Sequence, residues 1–450
     1  MKKIFFLIVS GGLFLSAVSQ ESVLPTPPQK GLVFITNATI HVGNGTVINN
    51  GTIQIRDGKI EKVGNDITIP AGNAQVIDGK GKQIYPGIIL PVSSLGLVEI
   101  SAVRASADVR EIGDMNPNVR SIVAYNTDSK VINTLRSSGI LMANIVPQGS
   151  FLAGSSSVVQ LDAWNYQDAA VKTDGGMHLY MPSLMPRPDF GRFGGGGGGR
   201  FGPQQSASSD PVKEGLNKIE ELKSFFTEAK AYLAEGTHKE TNLKFEAVKG
   251  LFDKSQKFYV HGNTVRQMLI ALDFVKQFNF DVVIVGGSDS WQIADLLKQH
   301  NVSVVLNQMH NLPTSADDDV DQPYKSAAAL QKAGVIFSIS DDDAQTRGKN
   351  ILYNAGTAAT YGLSKEEALQ AITLNAAKIM GVADKAGSIE VGKDANIVIS
   401  EGDLLDMRTS KVTDAFIQGR KIDLTDKHKL LNERFNQKYD LKPTTPAKPF

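Results

Sequence analysis

The chain contains no cysteine. That excludes disulfides, thiolate metal sites and cysteine nucleophiles, and it suits a protein that passes through an oxidising compartment. Excess charge is also missing. The 47 basic and 47 acidic side chains leave a formal charge of zero, so the balance points to no nucleic acid and no anionic membrane surface as partner. Long apolar runs are scarce after the first twenty residues, and no membrane insertion is expected; a lipid anchor behind a leader would need the absent cysteine. The usual motifs of other chemistries are lacking too: there is no Gly-x-Ser-x-Gly elbow, no Walker-type phosphate loop and no His-Glu-x-x-His helix.

What is present begins with a leader. Lys2 and Lys3 precede an apolar run from Ile4 to about Val18, closed by the small-x-small pattern Ala17-Val18-Ser19. Residues 1–19 read as a signal peptide, with the mature chain starting at Gln20. A periplasmic or secreted protein is expected. At 450 residues it can bury one large core and a satellite domain.

Two strand-rich blocks flank the rest. In residues 32–85, alternating segments such as Thr52-Ile53-Gln54-Ile55 are separated by Asn44-Gly45, Asn50-Gly51 and Asp57-Gly58, which are hairpin signals. Residues 386–423 hold the second block. Neither block is long enough for a secure core of its own, so the two are expected to pair into one composite β-sandwich. Between them, residues 86–380 alternate strands and helices. Phe258-Tyr259-Val260-His261 precedes a helix with Val265, Met268, Leu269, Leu272, Val275 and Phe278 at helical spacing, and further strands are expected at 281–285, 302–306 and 335–339. Ser364 and Glu367 form a capping-box signal for a helix through Ala371. The fold class this implies is α/β, a (β/α)8 barrel of the TIM type, with a doubly wound open sheet as the competing arrangement. A glycine-rich segment at 186–211, with six consecutive glycines at 194–199, reads as a flexible surface insertion.

Several motifs together resemble the amidohydrolase superfamily, and its imidazolonepropionase-like branch in particular. They are Tyr85-Pro86-Gly87-Ile88-Ile89, the Asn116-Pro117-Asn118-Val119-Arg120 segment, and Pro147-Gln148-Gly149-Ser150. The most specific is Asn375-Ala376-Ala377-Lys378-Ile379-Met380-Gly381 followed by Gly387-Ser388-Ile389-Glu390-Val391-Gly392-Lys393-Asp394-Ala395. The resemblance implies a barrel that holds one or two divalent metals at its mouth and hydrolyses C–N bonds with metal-bound hydroxide. It also implies an Asp-x-His-x-His run after the Pro-Gly-Ile-Ile strand. Here Leu90-Pro91-Val92-Ser93-Ser94 occupies that run, so valine and serine stand where two imidazoles would be. His261 matches the fifth-strand histidine ligand, and Asp341 the eighth-strand aspartate that serves as proton shuttle and metal ligand. Gly286 stands where a sixth-strand histidine is usual.

Each retained residue also has a plainer role open to it, His261 as a hydrogen-bonded structural residue and Asp341 as a cap for backbone N–H groups near Lys349. His310 and the acidic stretch Asp317 to Asp321 could reach the mouth from a loop, though a solvated acidic loop is the simpler reading. His41, His178, His238, His300 and His428 lie away from the strand ends legible in the sequence. Two functions stay open. One is a metal-poor C–N hydrolase using Asp341 as general base, with His261 and Asp341 around at most a single zinc-like divalent ion. The other is a non-catalytic relative that binds a small molecule or pairs with an intact, metal-binding amidohydrolase homologue, as an oligomer or a subunit.

Overall fold

The N-terminal alternation of apolar and polar residues folds into paired strands. In the computed structural model, which describes residues 24–72, 74–149, 151–185, 210–341 and 346–441, β1 (Leu32–His41), β2 (Val47–Arg56) and β3 (Lys59–Gly64) form an antiparallel meander. Asp57 and Gly58 turn between β2 and β3 with φ of 48° and 83°, the left-handed pair that a two-residue hairpin requires. β4 (Gln75–Asp78) and β5 (Gln83–Pro86) pair in parallel with successive parts of the other edge of β1. The far end of the chain completes this sheet. β14 (Ile397–Ser400) lies antiparallel to β5, with Ile397 opposite Pro86, and β15 (Val412–Ile417) and β16 (Arg420–Lys421) follow outward. Ile35, Ile40, Ile53, Ile397 and Phe416 are among the buried residues of its core, where β-branched side chains fit the pleated surface. The leader and nearly all of the glycine-rich segment lie outside the described residues.

Gly87 carries the chain from this sheet into the barrel, and it must be small because a Cβ there would come within 2.7 Å of Leu141. The barrel sheet takes its eight strands in chain order: β6 (Ile88–Ser93), β7 (Ile140–Ile145), β8 (Leu152–Gln160), β9 (Ala170–Tyr180), β10 (Lys257–Gly262), β11 (Val282–Gly286), β12 (Ser303–Leu306) and β13 (Phe337–Ile339). Among the described residues no ladder joins β13 to β6, so the barrel is nearly closed, and Ser340 Oγ donates to Val92 O at 3.5 Å over that seam. From β9 onward every neighbouring pair is parallel with helices between, as the sequence pattern implies. The first half departs from regular alternation. β8 runs antiparallel to both β7 and β9, because the connection after Ile145 is too short for the helical crossover that a parallel return needs.

The helix Lys365–Ala371 forms with its capping box intact, and the helix Leu374–Met380 follows it under the barrel floor. The last carbonyls of that second helix have no partner within it. Lys257 Nζ, Tyr259 Oη and Lys172 Nζ donate to the carbonyl oxygens of Lys378, Ile379 and Met380 at 3.1, 3.1 and 3.4 Å. Two cations and a hydroxyl therefore satisfy the negative end of a helix dipole. Elsewhere a buried carboxylate ties the chain's ends together. Asp162 accepts from Arg136 Nη1 at 2.7 Å and from the backbone N of Thr26 at 3.1 Å, and Arg420 Nη1 lies 3.1 Å from its second oxygen. No helix among the described residues is long and apolar enough to cross a membrane.

Candidate functional site

In a parallel barrel the strand C-termini and the loops after them form the mouth, so the site is built from the last residues of each strand. Side chains alternate along a strand, and the ladder between β9 and β10 sets His178 opposite Tyr259 and Tyr180 opposite His261. Tyr180 and His261 form the upper layer at this place, and His178 and Tyr259 the layer beneath. The rings stack accordingly. Tyr180 lies on His261 with centroids 4.0 Å apart, and His178 lies on Tyr259 at 4.7 Å. Between the layers, His178 Nδ1 is 2.9 Å from His261 Nε2, and this is the one side-chain hydrogen bond of His261 among the described residues.

His178 was placed away from the strand ends by the sequence, and the structure corrects that: it sits near the end of β9 in direct contact with His261. It is fully buried, and its Nε2 has no hydrogen-bond partner. The signal was masked by Thr173-Asp174-Gly175-Gly176, which reads as a turn. Gly176 is instead a strand residue kept bare by its neighbours, since a Cβ would lie 2.5 Å from the ring of Tyr259 and 2.7 Å from Ser156 Oγ. Burial pushes the His261 imidazole down to about 3, and burial together with the adjacent His261 ring holds His178 well below its ordinary range. Both rings are neutral at ordinary pH.

Around this pair, the other strand ends offer few donors. Val92 joins Val146, Val283, Val285 and Val305 in an apolar plug below the mouth. Ser94 is buried with its hydroxyl unpartnered. Gly286 adopts φ 100°, and a Cβ on it would come within 2.4 Å of Asn263 Oδ1. A branched side chain at that position would need both a strained backbone and a displaced amide. A small polar cleft of about 40 Å³ opens beside it, edged by Asn307, Gln308 and Pro313.

Asp341 follows β13 and is 3% exposed. Its carboxylate bonds the side chains of two other segments: Oδ2 accepts from Asn354 Nδ2 at 3.0 Å, and Oδ1 lies 3.3 Å from Arg347 Nη2. Asn354 in turn accepts from the backbone N of Met309 at 2.9 Å, and Arg347 also donates to Gln308. The carboxylate thus ties together the end of β13, the helix Ile351–Thr360 and the loop after β12. Its neighbours Asp342 and Asp343 lie outside the described residues. His310 is exposed and bonds Thr357 Oγ1 at 2.8 Å, while Asp319 and Asp321 pair with Lys325 in an exposed loop. Among the described residues no three His, Cys, Asp or Glu side chains come together as a group that could hold a metal ion.

The Amidohydrolase family model matches residues 220–426 of the chain. Among curated proteins, an imidazolonepropionase of Thermoplasma volcanium is 37% identical over 86 residues, and one of Flavobacterium johnsoniae is 34% identical over 82 residues. Those matches cover 19% and 18% of this chain and only 21% and 20% of the respective relatives. Of solved structures, an amidohydrolase from Thermotoga maritima superposes with a TM-score of 0.74 at 23% identity, over 87% of this chain and 99% of that one. At that identity the superposition speaks for the fold.

Proposed function

We propose, for a chain that belongs to the amidohydrolase superfamily, that it is an exported member whose metal site is degenerate and whose barrel mouth binds a small polar molecule rather than generating metal-bound hydroxide. One observation carries this reading. Val92, Ser94 and Gly286 stand at the positions of three family imidazoles; the first lies in an apolar plug, the second offers only a buried hydroxyl, and the third has no space for a side chain. The divalent metal implied by the family does not fit the described side chains, among which no three His, Asp or Glu residues converge. A cation needs several imidazoles and carboxylates around an open position, whereas the two imidazoles present are turned toward each other. What the chain can supply at its mouth is one neutral imidazole backed by a second, an aromatic wall from Tyr180, and backbone polar groups.

A catalytically silent barrel would suit a subunit role beside a metal-binding amidohydrolase homologue. The second reading is a metal-poor C–N hydrolase, favoured by the buried carboxylate of Asp341 at the eighth strand end, where it would serve as general base. Elemental analysis of the full-length protein after growth with zinc, manganese or iron decides between them, together with a panel of cyclic amides and dipeptides. Substoichiometric metal and no turnover are expected, and affinity capture from the envelope should recover a homologue carrying His-x-His. Near-stoichiometric metal that is lost in His261→Ala would overturn the proposal, and turnover abolished by Asp341→Asn without any metal would establish the second reading.

A further inference from the structure

His41 ends β1 where the composite sheet meets the barrel helix Lys365–Ala371, far in sequence from every residue of the mouth. Its ring is held on three sides. Nδ1 lies 2.6 Å from Glu366 Oε1, Nε2 lies 2.9 Å from Gln83 Oε1, and the ring stacks on Tyr85 with centroids 4.5 Å apart and planes 6° apart. Glu366 and Gln83 each set an oxygen against a ring nitrogen, an arrangement that calls for an N–H on both. An imidazole with two N–H groups is a cation, and the face of Tyr85 is a favourable place for it.

We infer that protonated His41 is a latch between the composite sheet and the barrel, fastened when the ring carries its second proton and released when it loses it. The arrangement of charge makes the release consequential. Glu366 keeps its second oxygen buried without a hydrogen-bond partner, so a neutral His41 would leave a carboxylate in the joint without its cation. The other groups facing the ring do not replace that charge. Lys365 is bonded to Asp403 at 2.6 Å, Gln83 and Tyr85 on β5 are uncharged, and so is Val47, the ladder partner of His41 on β2. A cavity of about 290 Å³ lined by these same groups with Leu369 and Leu405 adjoins the joint and gives water a route in once it loosens.

The proton is held against burial. Burial by itself lowers the affinity of the ring for its proton, but the bonds to Glu366 and Gln83 and the attraction of Glu366 and Asp403 raise it above the ordinary value. For a histidine raised in this way, the stabilising contribution is complete below the unfolded value of about 6.5 and disappears as pH rises through the folded value.

Hydrogen exchange of the full-length protein over a pH series, corrected for intrinsic rates, tests this alongside an NMR titration of the His41 ring. Protection in β1 and in residues 365–371 should fall several-fold across the His41 titration, while β12 stays protected. Glu366→Gln should move the midpoint to lower pH. His41→Phe, which keeps the stack and loses the proton, should show the weaker protection at every pH. A wild-type midpoint at or below 6.5, or the same step in His41→Phe, overturns the latch. Should His41→Phe fail to fold, an unchanged midpoint in Glu366→Gln overturns it equally.

Discussion

His261 stands at the barrel mouth as the upper member of an imidazole pair, its Nε2 set 2.9 Å from Nδ1 of the buried His178. Both rings take up protons less readily in the folded chain than in the unfolded one, so the unfolded state binds more protons below about pH 6.5. The contribution of this pair to stability is therefore complete above about 6.5 and declines as pH falls toward the His261 value of about 3. The limiting slope is about 1.4 kcal/mol per pH unit for each imidazole. Thermal melts between pH 7 and 4 should show a decline that is shallower in His178→Phe. An equal slope in that variant counts against the pair.

The floor of the barrel gives a second expectation. Tyr259→Phe removes the hydroxyl that satisfies the carbonyl of Ile379 and leaves that oxygen buried beneath the strands. A loss of about 1–3 kcal/mol in urea unfolding is expected, with no change in m. A loss near zero would mean that water reaches this carbonyl.

Asp162 should be far more sensitive than any surface pair. Asp162→Ala strands Arg136 and Arg420, which are 4% and 9% exposed, without their counter-charge. Breaking a buried pair in this way costs about 3–5 kcal/mol. Glu61→Ala, which removes the partner of an exposed Arg56, should leave stability almost unchanged, because water screens that pair. Chemical denaturation of both variants checks the contrast, and comparable losses would contradict it.

Rebuilding the family's first-strand motif should fail. In Val92→His/Ser94→His one new imidazole would lie among valines, and Gly286 would still supply nothing. Metal content is expected to stay substoichiometric, with stability reduced by burial of the ring. Gly286→Ala alone should cost about 1–3 kcal/mol, from its left-handed backbone and the close approach of Asn263. Stoichiometric zinc in the double variant would show that the mouth is readier for a cation than its side chains suggest.

Where local chemistry decides the structure, the sequence was legible. Ser364 and Glu367 satisfy each other's backbone donors regardless of what surrounds them, so the helix they start could be read directly, as could the apolar strand leading to His261. The β8 strand was hidden because its composition misleads. Ser155, Ser156 and Ser157 are all buried, and Asp174 engages two of them, accepting from Ser155 Oγ and donating through its backbone N to Ser157 Oγ. Polar residues that satisfy one another across a ladder look like a loop when read one at a time. The same blindness concealed His178, whose place depends on the pairing of β9 with β10 rather than on its own neighbours in sequence. For Asp341, the sequence marked the strand end, but the tether to Asn354 and Arg347 comes from a helix that only the fold brings near.

The pairing of Pro86 with Ile397 has a further consequence for how the protein is made. A chain that emerges N-terminus first can assemble the β1–β3 meander early, yet the free edge of β5 must wait until almost the whole polypeptide has appeared. So distant a contact is slow to form, and until it does an apolar strand edge lies open to other chains. Shielding by a chaperone during that interval, or truncation anywhere before Ile397, would decide between a soluble product and an aggregate.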